Sequence, residues 1–143
     1  MHPIHPMVVH FPIALLSASV FFDLLAETWR PEELRTVSFY TLVLGLAGAL
    51  VSVATGVLAE DAAEHSGVPE RVIEIHETLS FITFWIFAGL VGLRIVTWLG
   101  WIRERRFVSL ALGLVGVTVL LVASYYGGSL VYEHGAGVIK GVQ

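Results

Sequence analysis

Four long apolar stretches, separated by short polar segments, dominate the pattern of the chain. They cover about 11–29, 37–59, 78–101 and 107–126, and the segment 60–77 is polar. A helix needs roughly 20 residues to cross the hydrocarbon core of a bilayer. Strands do not account for the pattern, because only helices and closed barrels of about eight or more strands satisfy the backbone in lipid. We therefore predict an all-α, four-helix transmembrane bundle in which short connections make consecutive helices antiparallel.

The composition agrees with a surface that faces lipid. Hydrophobic residues make up 56% of the 143 residues, charged residues make up 14%, and the mean hydropathy is +0.80. Soluble domains carry about 25% charged residues. The length predicts a single transmembrane domain over 1–143. The chain has no cysteine, which excludes disulfides, thiolate metal sites, iron–sulfur clusters and covalently attached c-type haem.

Arginine placement predicts the direction of the helices. The arginines of the first and third connections are Arg30, Arg35, Arg103, Arg105 and Arg106, whereas 60–77 has one arginine among six acidic residues. By the positive-inside rule the first and third connections are cytoplasmic. The predicted topology is therefore up-down-up-down, with both termini and the polar loop 60–77 on the outer, periplasmic side. Nucleic-acid binding has no support, because the basic residues are few and most lie at the inner interface.

All the histidines lie at, or just outside, the end of the bundle opposite to the arginines. They are His2, His5, His10, His65, His76 and His134. Imidazole is the side chain most often used to hold metals and haem iron. This clustering follows from the helix order alone, so it holds for either orientation in the membrane.

The first histidine motif is HPMVVHFPIAL, from His5 to Leu15. Pro6 and Pro12 restrict the backbone on either side of His10, and Pro12 fits the first turn of a helix. Such a segment holds the imidazole of His10 at a defined depth. The alternative is that histidine and proline cap the helix and hydrogen-bond lipid headgroups.

The second motif, EIHETLSF, places His76 at the predicted start of the third helix and Ser80 one turn below it on the same face. Pro69, upstream, fits the start of a helix that leads towards this motif. The alternative is an N-terminal capping cluster. That reading accounts for Glu77, whose charge complements the helix dipole, but not for His76.

The third motif, YYGGSLVYEHGAGV, surrounds His134 with glycines. Gly127 and Gly128 let the chain leave the fourth helix, while Gly135 and Gly137 flank the histidine. Glycine permits backbone to approach another group closely. The alternative is a plain exit from the membrane.

These three motifs, in this order, resemble a widespread bacterial membrane family, domain of unknown function 2231. The resemblance covers nearly the whole chain and implies a multi-pass protein of the bacterial inner (cytoplasmic) membrane. The family has no settled activity to transfer. Some similar proteins look joined to c-type cytochrome domains, which implies a redox setting.

Two further patterns lie inside the spans. Gly48, Ser52 and Gly56 follow one another at four-residue spacing, which suits either close helix packing or a flat slot for a porphyrin or quinone ring. Asp23 and Arg94 lie in the cytoplasmic half of two parallel helices. Because an unpaired charge is expensive there, we predict an ion pair between them. The alternative is that Arg94 snorkels to the headgroups.

The leading hypothesis is a b-type cytochrome-like protein that passes electrons between the quinol pool and periplasmic carriers. Haem b is axially held by His10 and His76, with His5 and His134 as further ligands or propionate contacts. The candidate cofactor-binding residues are His5, His10, His76, His134, Ser80, Gly48, Ser52 and Gly56.

Two alternatives stay open at this point. One is a copper or zinc site formed by His10, His76 and His134. The other is a cofactor-free accessory subunit of a larger respiratory complex. The candidate partners are the lipid bilayer, a quinone, a periplasmic cytochrome, a larger respiratory complex and a second copy of the chain. Enzymatic activity is left open.

Overall fold

The computed structural model describes residues 4–64, 68–103 and 105–136, with the backbone alone for 60–64. Within these residues all regular structure is helical. The helices are α1 (Ile4–Val8), α2 (His10–Ala26), α3 (Pro31–Glu64), α4 (Glu70–Trp98) and α5 (Arg106–Tyr132). Four helical stretches are long and apolar enough to cross a membrane: Ile4–Ala26, Pro31–Ala59, Glu70–Trp98 and Arg106–Tyr132. The prediction of an all-α chain with four potential spans is confirmed.

The first span begins seven residues earlier than predicted and ends at Ala26. Helices α1 and α2 are separated only by Val9, which itself has helical angles (φ −62°, ψ −27°). Pro6 and Pro12 each lie in the first turn of their own helix, where a missing N–H does little harm. Pro12 lies in a first turn, as predicted, whereas Pro6 lies inside the span instead of before it. His5, rather than His10, therefore lies in its first turn.

The other helices also pass the predicted boundaries. Helix α3 continues to Glu64 and α4 begins directly after Pro69, so most of the predicted loop 60–77 is helical. The start of a helix at Pro69 is confirmed. Polar residues limit the part of a helix that lipid can cover, but they do not end the helix. His76 is consequently nearly two turns inside α4. Helix α5 runs through Gly127 and Gly128 to Tyr132 instead of ending near 126.

The spans are arranged so that the first and third face each other across the bundle. Helix α2 packs on α3 and α5, and α4 packs on α3 and α5. Neighbouring helices are antiparallel. Gly45 lies against Leu16, whereas Gly56, further along α3, lies against His5, which is earlier in the chain. The second and fourth spans therefore form the other diagonal of the bundle.

The core occupies the middle of the bundle. Its buried members are Leu16, Val20, Leu42, Ala49, Phe87, Leu90 and Leu120. Many large apolar side chains point outward instead, among them Trp85, which is 68% exposed in the middle of α4. Such a surface is costly in water and is stable in lipid. The packed centre separates the two polar ends of the bundle.

Candidate functional site

Two histidines from opposite spans meet inside one end of the bundle. The ring centroids of His5 on α1 and His76 on α4 are 6.1 Å apart, and the ring planes are inclined by 75°. Both side chains are half-buried. The pair thus joins the first and third spans across the bundle diagonal, close to the end at which the histidines were predicted to cluster.

The His76 ring is fixed by the backbone of the fourth span. Its Nδ1 lies 2.9 Å from the carbonyl oxygen of Ala123. A carbonyl only accepts, so Nδ1 donates, and Nε2 of the neutral ring carries the lone pair. On the same helix a Cβ added to Gly127 would lie 2.8 Å from Cε1 of His76. Glycine at 127 therefore makes the room in which the imidazole lies.

The His5 ring is held in a matching way by the second span. Its Nδ1 lies 3.2 Å from Oγ1 of Thr55. The Thr55 hydroxyl, which has one hydrogen, donates to the Val51 carbonyl at 2.9 Å. In the tautomer with the hydrogen on Nδ1, the Thr55 hydroxyl accepts from His5 and Nε2 carries the lone pair, and the ring also hydrogen-bonds the Ser52 backbone. A Cβ added to Gly56 would lie 3.1 Å from Cε1 of His5.

The four spans therefore alternate around the bundle in what they contribute to the site. The imidazoles come from the first and third spans, and the glycines against which they lie come from the second and fourth. Each ring is anchored through Nδ1 to the span beside it, which is the way that metal-bound histidines are oriented by their outer neighbours. Within the described residues, no group of three or more His, Cys, Asp or Glu side chains comes together. The pair offers two imidazole nitrogens as ligands.

The other predicted histidines lie elsewhere. His10 is exposed on the outside of α2. His134 turns back onto its own helix, where its Nδ1 lies 3.1 Å from the Ser129 carbonyl oxygen. His2 and His65 lie outside the described residues. The predicted pairing of His10 with His76 is thus replaced by His5 with His76, because the first span starts earlier than the proline pattern indicates.

The remaining predicted site residues lie on α3 and α4. Ser80 donates to the carbonyl of His76 at 2.7 Å. Gly48 packs against Pro12, with 3.3 Å from an added Cβ to the proline Cδ. Ser52 is buried, and its hydroxyl has no hydrogen-bond partner in the described part of the chain. Side chains of the first span lie against both glycines of the stripe, so close packing accounts for Gly48 and for Gly56.

The sequence analysis did not predict three residues that contact the two histidines: Thr55, Ala123 and Gly127. Gly127 was interpreted as an exit signal, and a single threonine in an apolar helix carries no sign of its partner. One signal was present. His5 and Asp23 are eighteen residues apart, as are His76 and Arg94. Eighteen residues are five turns of a helix, so each histidine shares a face with a member of the predicted ion pair.

The ion pair itself is present at the other end of the same diagonal. Arg94 on α4 donates through Nη2 to Asp23 on α2, and through Nη1 to the Ser38 hydroxyl at 3.0 Å. The Asp23 and Arg94 side chains are 11% and 16% exposed. The predicted pairing is confirmed, and it fixes the relative register of the first and third spans.

A bundle of four apolar spans, with a histidine pair near one end and a buried ion pair near the other, is the architecture of an integral membrane protein. The chain belongs to the family described as "Predicted membrane protein (DUF2231)", which matches residues 1–140. The expected resemblance is therefore confirmed. No curated protein and no solved structure matches the chain.

Proposed function

We propose that this membrane protein binds haem b between His5 and His76 and uses it to transfer electrons. In this proposal the chain lies in the bacterial inner membrane with up-down-up-down topology. Both termini and the histidine end are then periplasmic, because the arginines gather at the opposite end. Electrons pass between the quinol pool and periplasmic carriers.

The separation of the two rings is the observation that carries the proposal. Metal–imidazole bonds are about 2 Å long. Two imidazoles bound through Nε2 to opposite sides of one metal therefore have ring centroids about 6 Å apart, and the His5 and His76 centroids are 6.1 Å apart. With the hydrogen on Nδ1 of each ring, Nε2 of each ring is the nitrogen that would bind the metal.

The glycines support the proposal by placing the two rings. Gly56 and Gly127 lie on the spans of the other diagonal, and an added Cβ would be 3.1 Å from Cε1 of His5 and 2.8 Å from Cε1 of His76. A side chain at either position would therefore displace an imidazole from its place in the pair.

The number of ligands favours haem over the copper or zinc alternative. Zn²⁺ and Cu²⁺ sites usually have four ligands, whereas a porphyrin supplies four nitrogens and needs only two axial ligands from the protein. When bound, haem supplies a one-electron couple of the iron. His5 and His76 would hold the group, and the apolar core beside them would exclude water.

The test is the visible spectrum of the chain purified without a histidine tag from haem-replete cells, oxidised and then reduced with dithionite. We expect a Soret band and a reduced α-band, with about one haem per chain. His76→Ala and His5→Ala should each lose the bands. His10→Ala is the matched control, since it removes an exposed histidine of the same end and should keep them.

Three results would count against the proposal. One is a colourless wild-type protein. Another is a pigment that survives His76→Ala but not His10→Ala. The third is stoichiometric copper or zinc by elemental analysis in place of iron, which would favour the metal-ion alternative.

A further inference from the structure

A second site lies at the arginine end of the bundle. A cavity of about 330 Å³ opens there between the end of α4 and the start of α5. It is lined by Leu93, Ile102, Arg103, Arg105 and Val108. Three apolar side chains thus form one part of the wall, and two guanidinium groups form the other.

The charge at this cavity is unbalanced, in contrast to the other arginine loop at the same end. In the first connection, Arg35 pairs with Glu27 at 2.9 Å and Arg30 lies 3.9 Å from Glu33. Within the described residues the side chains of Arg103 and Arg105 form no hydrogen bond or ion pair. The guanidinium groups of Arg103 and Arg105 therefore suit an anion from outside the chain.

The charged residues of the two connections also favour an anion at this cavity. The segment 27–35 has three glutamates and two arginines, and 103–106 has three arginines and one glutamate. The net charges are therefore −1 and +2. Since both segments lie at one end of the bundle, an anionic partner is attracted to one side of this end only.

The residues beside the cavity indicate which class of anion fits it. Trp98 and Trp101, on either side of the turn that leads to Arg103, are 84% and 75% exposed. Exposed tryptophans at the end of an apolar span are typical of the membrane–water interface. Ile102 and Val108, at the cavity, are each 45% exposed. A ligand that matches the cavity has a phosphate for the arginines and a hydrocarbon chain for the apolar wall.

We propose that this cavity binds one anionic phospholipid, with its phosphodiester between Arg103 and Arg105 and an acyl chain along Leu93, Ile102 and Val108. Basic pockets between membrane helices bind lipid headgroups by the same combination of charge and apolar contact. This site is independent of the haem proposal.

The test is native mass spectrometry of the full chain in detergent, with equal amounts of phosphatidylglycerol and phosphatidylcholine. We expect the wild-type protein to keep one phosphatidylglycerol in preference to phosphatidylcholine. The double variant Arg103→Gln/Arg105→Gln should bind it about thirty-fold more weakly, because each arginine near an anionic membrane surface contributes about fivefold. The matched double variant Arg30→Gln/Arg35→Gln removes the same charge from the other loop and should bind it normally.

Several outcomes would overturn the proposal. Equal retention of the two lipids by the wild-type protein is one, and it decides the matter even if the double variant does not fold. Equal weakening in both double variants would show a general attraction to the charged end. Displacement of the lipid by millimolar inorganic phosphate would show a phosphate site rather than a lipid site.

Discussion

Two polar pairs lie on the same diagonal of the bundle, and they differ in how completely their members satisfy each other. His5–His76 and Asp23–Arg94 both join the first span to the third. Eighteen residues, or about 27 Å of helix, separate them on each span. The two pairs are therefore on one face of each helix, one at either end of the same packed core.

The Asp23–Arg94 pair is complete, because opposite charges meet there and the Ser38 hydroxyl accepts a further hydrogen bond from Arg94. In the histidine pair, Nδ1 of each ring lies beside a partner on a neighbouring span. The second nitrogen of each ring is a ligand of the kind that binds metals. The comparison indicates that the Asp23–Arg94 pair fixes the helices, whereas the histidine pair has the chemistry to bind a third group.

Breaking the Asp23–Arg94 pair should have the largest effect on stability. Arg94→Leu leaves the Asp23 carboxylate buried without its charge partner, and removing one member of such a pair costs about 3–5 kcal/mol. We expect this loss in the free energy of unfolding, measured in detergent with a chemical denaturant. The control is Asp23→Asn combined with Arg94→Leu, which should recover most of it. An unchanged midpoint in the single variant would contradict a structural role.

A methyl group added at Gly127, beside His76, should have a smaller effect. The effect should appear both in the free energy of unfolding and in the haem content. Gly127→Ala places a methyl group 2.8 Å from Cε1 of His76, and overpacking costs about 1–3 kcal/mol. Gly89→Ala is the control, because nothing lies within 4 Å of an added Cβ there. It should be neutral or stabilise by about 0.5–1 kcal/mol. Equal haem content and equal stability in the two variants would contradict a role of Gly127 in the site.

Removing the anchor of His5 should have the smallest effect. Thr55→Val keeps the shape but takes away the acceptor for Nδ1–H of His5, and losing such an outer contact weakens binding about tenfold or more. The measurement is haem titration of the apoprotein, followed by absorbance. Thr118→Val is the matched control, since Thr118 also donates to its own helix at 2.9 Å but is exposed. Binding that is equally strong in both variants would contradict the role of Thr55.

The sequence predicts the spans and the ion pair because each depends on a property that is local to a helix. Hydrophobic length identifies a span, and the cost of a buried charge forces Asp23 and Arg94 together. The histidine pairing depends on where the first helix starts. Exchanging His10 for His5 moves the imidazole by five residues, which is about 140° around the helix. The choice of His10 depended on Pro6 and Pro12, which fit either the boundary of a helix or its first turn.

The partners of the histidines could not be predicted from single positions. Thr55 and Gly127 belong to the site only because of the faces that the second and fourth spans turn inward. Each residue also has an ordinary explanation that does not involve the site. A threonine commonly donates to a carbonyl of its own helix, and a glycine commonly ends a helix. The eighteen-residue spacing is the exception, because it relates His5 and His76 to a pair that the cost of a buried charge already predicts.

Val9 joins α1 to α2 without interrupting the helical path. Its backbone angles are helical, its N–H donates to the His5 carbonyl at 3.2 Å, and its carbonyl accepts from the N–H of Ile13 at 3.4 Å. His5 and Asp23 therefore belong to one continuous span, Ile4–Ala26. One residue inserted between them would rotate His5 by about 100° relative to Asp23. The imidazole would then leave His76 while the ion pair with Arg94 stayed in place.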